Sequence, residues 1–416
     1  MAFAMQSTDE LVAADHPVRV IWQVICGLDL GRFYVTIKAR EGTGGRDTTD
    51  PRLLVALWLY AATEGVGSAR ELARLCLSSD PYKWLCGGVS LNHHTLGDFR
   101  VGHGAALDEL FTQVLAMLVQ KNLVSVYRIS QDGTRVRACA GASSFRREER
   151  LGKLLDQARK HVAELKRMLD DPEHSAGLAL KKKAAMERAA RERQERIEAA
   201  IAQLPELQAR QAKLAARKSA KEKTRLKEPR ASTTDAEARV MKMPDGGFRP
   251  AVNVQLATDT ASRGIVGVQV INQGTDNDQL EPMRKQVERR TGQKVAEHLA
   301  DGGYLSFDEV DRAAEQNVTL YVPPKAPRDP EKLGAEYQPH AGDSDAVKQW
   351  RERMGEEEAK EIYKQRASTI ETANADLKTH RGLVQLTVRS LAKANCVALW
   401  CALAYNLMHF GAQLIG

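Results

Sequence analysis

The chain has 416 residues, 43% of them hydrophobic and 28% charged, with a formal net charge of +7. That length leaves room for two or three buried cores, and the hydrophobic share is that of a soluble protein. Six cysteines, at positions 26, 76, 86, 139, 396 and 401, form no CxxC pair and no His/Cys grouping of zinc spacing, which argues for reduced, mostly buried thiols and against a structural zinc. At the N-terminus Asp9 and Glu10 stand where an export signal would carry its basic region, so none is expected. The most apolar run, from Cys396 to Tyr405, falls short of the ~20 residues of a membrane span and reads as a buried helix.

Taken in chain order, residues from about 8 to 120 have the pattern of short helices. Asp50 followed by Pro51 starts one that ends at Gly65. Ser68 with Glu71 three residues on makes a capping box for the next, and Gly87-Gly88 marks a turn. Tight helices of this kind suit a helix-turn-helix DNA-binding unit, with His93, His94, Thr95 and Arg100 toward DNA, or a plain helical packing domain. Residues 122–137 then take on strand character as far as Asp132-Gly133.

Leu151, Leu155, Ala158, Val162, Leu165 and Leu169 follow at alternating spacings of 4 and 3, a seam that pairs with a second helix. DPEHSAG at 171–177 breaks the seam, and Met186, Ala190, Ile197, Ile201 and Leu204 continue it more loosely. An antiparallel hairpin or a dimerising arm is expected here. Residues 146–228 hold 23 Lys/Arg against 14 Asp/Glu, a net +9, which leaves −2 for the rest. Positive charge gathered in one segment points to a polyanion, with a solvated helical surface as the alternative.

Strand patterns resume at RPAVNVQLATDT and GIVGVQVINQGTD, followed by a helix from Asp278 to Arg290, the strand VAEHLAD running into Asp301, and a helix capped by Ser306 and Glu309. The strand VTLYVPP, a polar loop at Lys325 to Gly342 and one long helix from Ser344 to about Thr379 complete the pattern, before a C-terminal core helix. This order is that of an α/β protein with an RNase H-like mixed sheet, in which the first and fourth strands are neighbours. The expected domains are a helical N-terminal one at 1–121, the catalytic sheet at 122–145 with 229–416, and a helical-hairpin insertion at 146–228 between its first and second strands.

Asp132, Asp301 and Glu371 are the acids such a sheet would gather. Two divalent ions about 3.5–4 Å apart need shared carboxylates to stabilise both the attacking and the leaving oxygen of a phosphoryl transfer. Gly133 is expected to turn the chain after Asp132, and Gly302 and Gly303 to do so after Asp301 and clear room for a phosphate. At 100° per residue Glu371 and Lys378 share a helix face; with Asn374 and Arg381 they make a stripe for metal and phosphates, or an ordinary solvated face.

These residues carry a resemblance. DPRLLVALWLYAATEGVGSARELARL, YKWLCGG, NHHTLGDFR, TTDAEARVMKMPDGGFRPAVNVQ and ETANADLKTHRGL are similar to stretches of bacterial insertion-sequence DDE transposases, in the branch with an N-terminal helical domain and a helical insertion. The resemblance implies Asp132, Asp301 and Glu371 as catalytic and metal-binding acids for two Mg²⁺ or Mn²⁺ ions. It also implies a signature Y-x2-R-x3-E-x6-K on Tyr363, Arg366, Glu371 and Lys378. Four residues rather than three separate Arg366 from Glu371, which on a regular helix turns Arg366 about 100° off its line. Implied too are cleavage at terminal inverted repeats, strand transfer into target DNA, a homodimer or larger synaptic oligomer, no membrane, and a cytoplasmic, nucleoid-associated location. A structure-selective endonuclease of the same fold and a DNA-binding relative without catalysis remain as alternatives.

Overall fold

The computed structural model describes residues 7–35, 37, 48–171, 179–216, 227–327 and 329–415. Its first helices are α1 (Pro17–Cys26), α2 (Gly31–Tyr34), α3 (Pro51–Thr63), α4 (Ala69–Ser78), α5 (Asp80–Cys86), α6 (His93–Gly102) and α7 (Gly104–Gln120). Strand β1 (Arg128–Arg137) and the short β2 (Phe145–Arg146) precede α8 (Glu148–Asp170), α9 (Leu180–Ala202) and α10 (Leu204–Ala216). Then come β3 (Ala231–Ser232), β4 (Arg239–Lys242), β5 (Phe248–Asp259), β6 (Ile265–Ile271), α11 (Leu280–Thr291), β7 (Glu297–Leu299), α12 (Phe307–Glu315) and β8 (Thr319–Tyr321). The chain closes with α13 (Asp345–Gly355), α14 (Glu357–Arg366), α15 (Thr372–Thr379) and α16 (Leu391–Ile415).

Two compact units form. One holds residues 1–136, 253–387 and 392–416; the other holds 137–252 with 388–391. In the first, the helix starts follow the caps in the sequence. The Asp50 carboxylate accepts from the Arg52 N–H ahead of Pro51, and Gly65, Gly87 and Gly88 take the positive φ that ends helices. Only half of each expected capping box forms. Ser68 and Ser306 accept from the N–H of Glu71 and Glu309, while those two side chains turn to Arg74 and Arg312 instead.

The sheet of the first unit has the order β6-β5-β1-β7-β8, antiparallel between β5 and β6 and parallel along β1-β7-β8. This is the mixed α/β sheet of the RNase H type, joined to an N-terminal helical region. Leu299, Leu320, Val322, Tyr304, Val310 and Met354 pack around Trp350, whose indole N–H donates to the Val322 carbonyl at 3.1 Å. Asn406 on α16 bonds both the N–H and the carbonyl of Ile265, so that helix is pinned to β6.

Two expectations change here. The C-terminal helix runs for 25 residues, long and apolar enough by composition to cross a bilayer, yet 72% of its apolar 18-residue window is buried inside the fold, as in a core helix. The long helix from Ser344 to Thr379 is interrupted at Glu356, whose ψ of 146° is extended, and again by a π-helical turn at Ala367–Glu371. Beside this break a Cβ on Gly355 would stand 3.2 Å from the Tyr337 Cβ, so the backbone passes close to that residue.

In the second unit α8 and α9 are an antiparallel hairpin. Leu151 and Ala158 meet Ile197, Ala200 and Leu204 toward one end, and Leu165 and Leu169 meet Ala190 and Met186 toward the other. Burying both seams stabilises the pair by about 25 cal/mol for each Å² of apolar surface removed from water, which neither helix could gain alone. The predicted break falls mostly on 172–177, outside the described residues. Short β2 and β3 pair antiparallel beside the hairpin, and β4 pairs with the first residues of β5.

Candidate active site

Asp132 and Asp301 are brought level by strand register. The parallel pairs Arg128–Glu297, Ile129–His298 and Ser130–Leu299 share one offset, 169 residues, and the same offset carries Asp132 to Asp301. Asp132 does not leave a strand end as expected, because β1 runs on through Gly133 to Arg137. Gly133 serves close approach rather than a turn. A Cβ there would stand 2.3 Å from both Asp276 Oδ1 and Gln255 Nε2. At Asp301 the strand has ended, and its carboxylate caps a 3₁₀ turn by accepting from the Gly303 N–H at 2.8 Å. A Cβ on Gly303 would meet Asp301 Oδ1 at 2.8 Å, so this glycine makes room for the acid itself.

Glu371 arrives on the π turn. A π turn closes an i to i+5 bond and so takes up one residue more than an α turn. The additional residue between Arg366 and Glu371 is absorbed there, which corrects the expected 100° rotation. Arg366 Nη1 donates to Glu371 Oε1 at 2.9 Å, and Nη2 stands 3.4 Å from Asp132 Oδ1 and 3.9 Å from Asp301 Oδ2. One guanidinium, 12% exposed, therefore lies among all three acids. Burial pushes the Asp132 carboxyl above the ordinary range; Arg366 opposes this and Asp301 adds to it. The half-buried Tyr363 phenol is likewise raised by burial, with Arg366 opposing and all three acids contributing.

The remaining candidates divide. Asn374 is buried and donates to Asp132 Oδ2 at 2.9 Å, so it orients an acid and is not free for a phosphate as expected. Lys378 is partly buried near Asp132; burial lowers its ammonium and Asp132 opposes. Arg381 leaves the expected stripe: its guanidinium is spent on Asp376 Oδ1 at 2.9 Å and the Thr63 carbonyl at 2.7 Å. Arg100 also corrects the expectation of a DNA contact. It lies over the Trp58 ring, 4.8 Å from the centroid, donates to the Gly67 carbonyl and is shifted down by burial. His93, His94 and Thr95 are partly or fully exposed at the start of α6, where Asn92 caps the helix through the His94 N–H.

A buried polar network behind Asp132 escaped the sequence reading. Asp276 Oδ1 accepts from Asn253 and Gln255, both at 2.7 Å, and Oδ2 accepts from Arg135 at 2.9 Å. Gln255 also accepts from Gln131 at 2.9 Å and from the Tyr304 hydroxyl at 2.5 Å. The signal was available: Asn253 and Gln255 place polar side chains two apart within the otherwise apolar run 250–257, one face of which must then hold partners.

As placed, no group of three or more His, Cys, Asp or Glu among the described residues could hold a metal ion, and the Arg366 guanidinium stands among the three carboxylates. Their chemistry nevertheless fits one. All three offer hard oxygens, the donor set of Mg²⁺, and those oxygens already converge on a single cation.

A family model described as Transposase DDE domain matches residues 220–407, and one described as Transposase domain (DUF772) matches residues 6–101. No curated protein and no solved structure matches the chain. The DDE family implies an enzyme of DNA phosphoryl transfer, and its members generally use divalent metal ions. The fold and the two family matches together place the chain among the DDE transposases of insertion sequences.

Proposed function

We propose that this transposase cuts DNA at the terminal inverted repeats of its element and joins the freed 3′ ends to target DNA, with Asp132, Asp301 and Glu371 as its catalytic acids. The observation that carries the reading is the gathering of all three, from positions far apart in the chain, around the Arg366 guanidinium. Two Mg²⁺ or Mn²⁺ ions, when bound, would activate the attacking oxygen and neutralise the leaving one. Asp132 and Asp301 would be the inner ligands, held level by the sheet, and Glu371 the solvent-facing one. Asn374 would hold Asp132 in a fixed rotamer through its hydrogen bond. Lys378 would offer a cation to a DNA phosphate beside Asp132.

Residues 1–121 are proposed to bind DNA, with His93, His94 and Thr95 at the exposed start of α6. The basic insertion at 146–228 would hold DNA or a second subunit. Joining two ends in concert calls for a dimer or a larger synaptic assembly. The test is cleavage of terminal-repeat DNA with Mg²⁺ by Asp132→Asn, Asp301→Asn and Glu371→Gln. Each is expected to lower the rate by 10³-fold or more while DNA binding stays within about threefold. Cleavage by any variant at a rate near that of the parent protein removes that residue from the site.

A further inference from the structure

We infer that Arg366 is a built-in counter-cation of the three acids, which a divalent ion must displace in order to bind. The inference rests on the proposed metal-binding role of Asp132, Asp301 and Glu371, and asks what the protein itself sets against the ion. Three observations carry it. The guanidinium is divided among oxygens of all three acids, at 2.9 Å from Glu371, 3.4 Å from Asp132 and 3.9 Å from Asp301. A Mg²⁺ ion has to come within about 2.0–2.1 Å of such oxygens, which puts two cations in the space of one. Even in a medium of effective dielectric about 20, like charges at that separation repel strongly.

The second observation is what holds the head group. Its Nε is buried and has no hydrogen-bond partner, and the carboxylates are the only ion-pair partners of Arg366 among the described residues. Once an ion takes those oxygens, no other bond retains the guanidinium. The third is the π turn. Its additional residue places Arg366 and Glu371 side by side, five positions apart, where a regular helix would separate them. Local backbone irregularity is thus used to seat a cation in the nest. The way out is short, because Glu371 is 56% exposed and the site opens on its side.

The full chain, stripped with a chelator, tests this by Mn²⁺ titration followed by electron paramagnetic resonance, with thermal melts alongside. Arg366→Gln is expected to bind Mn²⁺ at least about tenfold more tightly than the parent. Without metal it should melt lower than the parent, its three acids having lost their counter-charge, and Mn²⁺ should raise its melting temperature by more. Arg366→Lys, which keeps the charge, should bind Mn²⁺ with an affinity between the two and serves should the Gln variant fold poorly. Equal or weaker Mn²⁺ binding by Arg366→Gln, or Lys and Gln variants that behave alike, overturns the inference. Asp132→Asn separates the two claims. Loss of Mn²⁺ binding there with no change in Arg366→Gln leaves the proposed site standing and removes Arg366 from it, whereas unchanged binding in Asp132→Asn removes both.

Discussion

His298 pairs with Ile129 in the ladder that leads to the acids, fully buried, with neither ring nitrogen hydrogen-bonded. Burial, aided by the charge of Arg284, holds its pKa well below the ordinary 6.5. The sign follows from linkage. The imidazole is neutral in the fold, so its contribution is whole above the unfolded value of about 6.5 and is lost as pH falls toward the depressed folded value. His298→Leu surrenders no hydrogen bond, and should flatten the loss of stability between pH 6.5 and 5 by up to about 1.4 kcal/mol per pH unit. Melts at several pH values with chelator present decide this; parallel curves for the two proteins would count against it. Single residues were legible in proportion to how local their reasons are. Asp132, Asp301 and Glu371 could be singled out from their surroundings in the sequence. Arg100 and Arg381 could not, because whether a long cation turns outward or folds onto Trp58 or Asp376 depends on what stands beside it.

Among the elements, the helix caps and the strand order were open to sequence reading, since a Ser or Asp before an apolar period acts over three or four residues. The π turn was not, because helical periodicity cannot tell a four-residue spacing that rotates a side chain from one that a wider turn absorbs. Its role can be measured. Deleting the exposed Ser368 shortens the segment by one residue and should convert the π turn to α geometry, leaving Arg366 and Glu371 one ordinary turn apart. This deletion is expected to keep cleavage within about tenfold of the parent protein. Deleting Asp376, which lies between Glu371 and Lys378, should abolish it by turning Lys378 away. Terminal-repeat cleavage assays on both proteins provide the check, and equal damage from the two deletions would deny the π turn its special tolerance.

For the whole molecule the governing quantity is where the charge lies: +9 on residues 146–228 against −2 elsewhere. If DNA is held through six to ten phosphates, affinity falls by ~10³–10⁵ between about 50 and 200 mM salt. Within the second unit, Arg193, Arg196 and Arg389 line a cavity of about 270 Å³ together with Thr233 and Thr234. Changing all three arginines to Gln should reduce the slope of log affinity on log salt by up to about 2.7, read by fluorescence anisotropy on terminal-repeat DNA. An unchanged slope would put the phosphates elsewhere. The two strands that set Asp132 beside Asp301 are separated by 169 residues of chain, and the last acid follows 70 residues later still. No early fragment can therefore assemble the chemistry. On the proposed roles, a nascent or proteolysed chain that stops short of residue 371 would dock on DNA yet be unable to cut it, and closure of so long a loop makes completion of the proposed centre one of the slower events of folding.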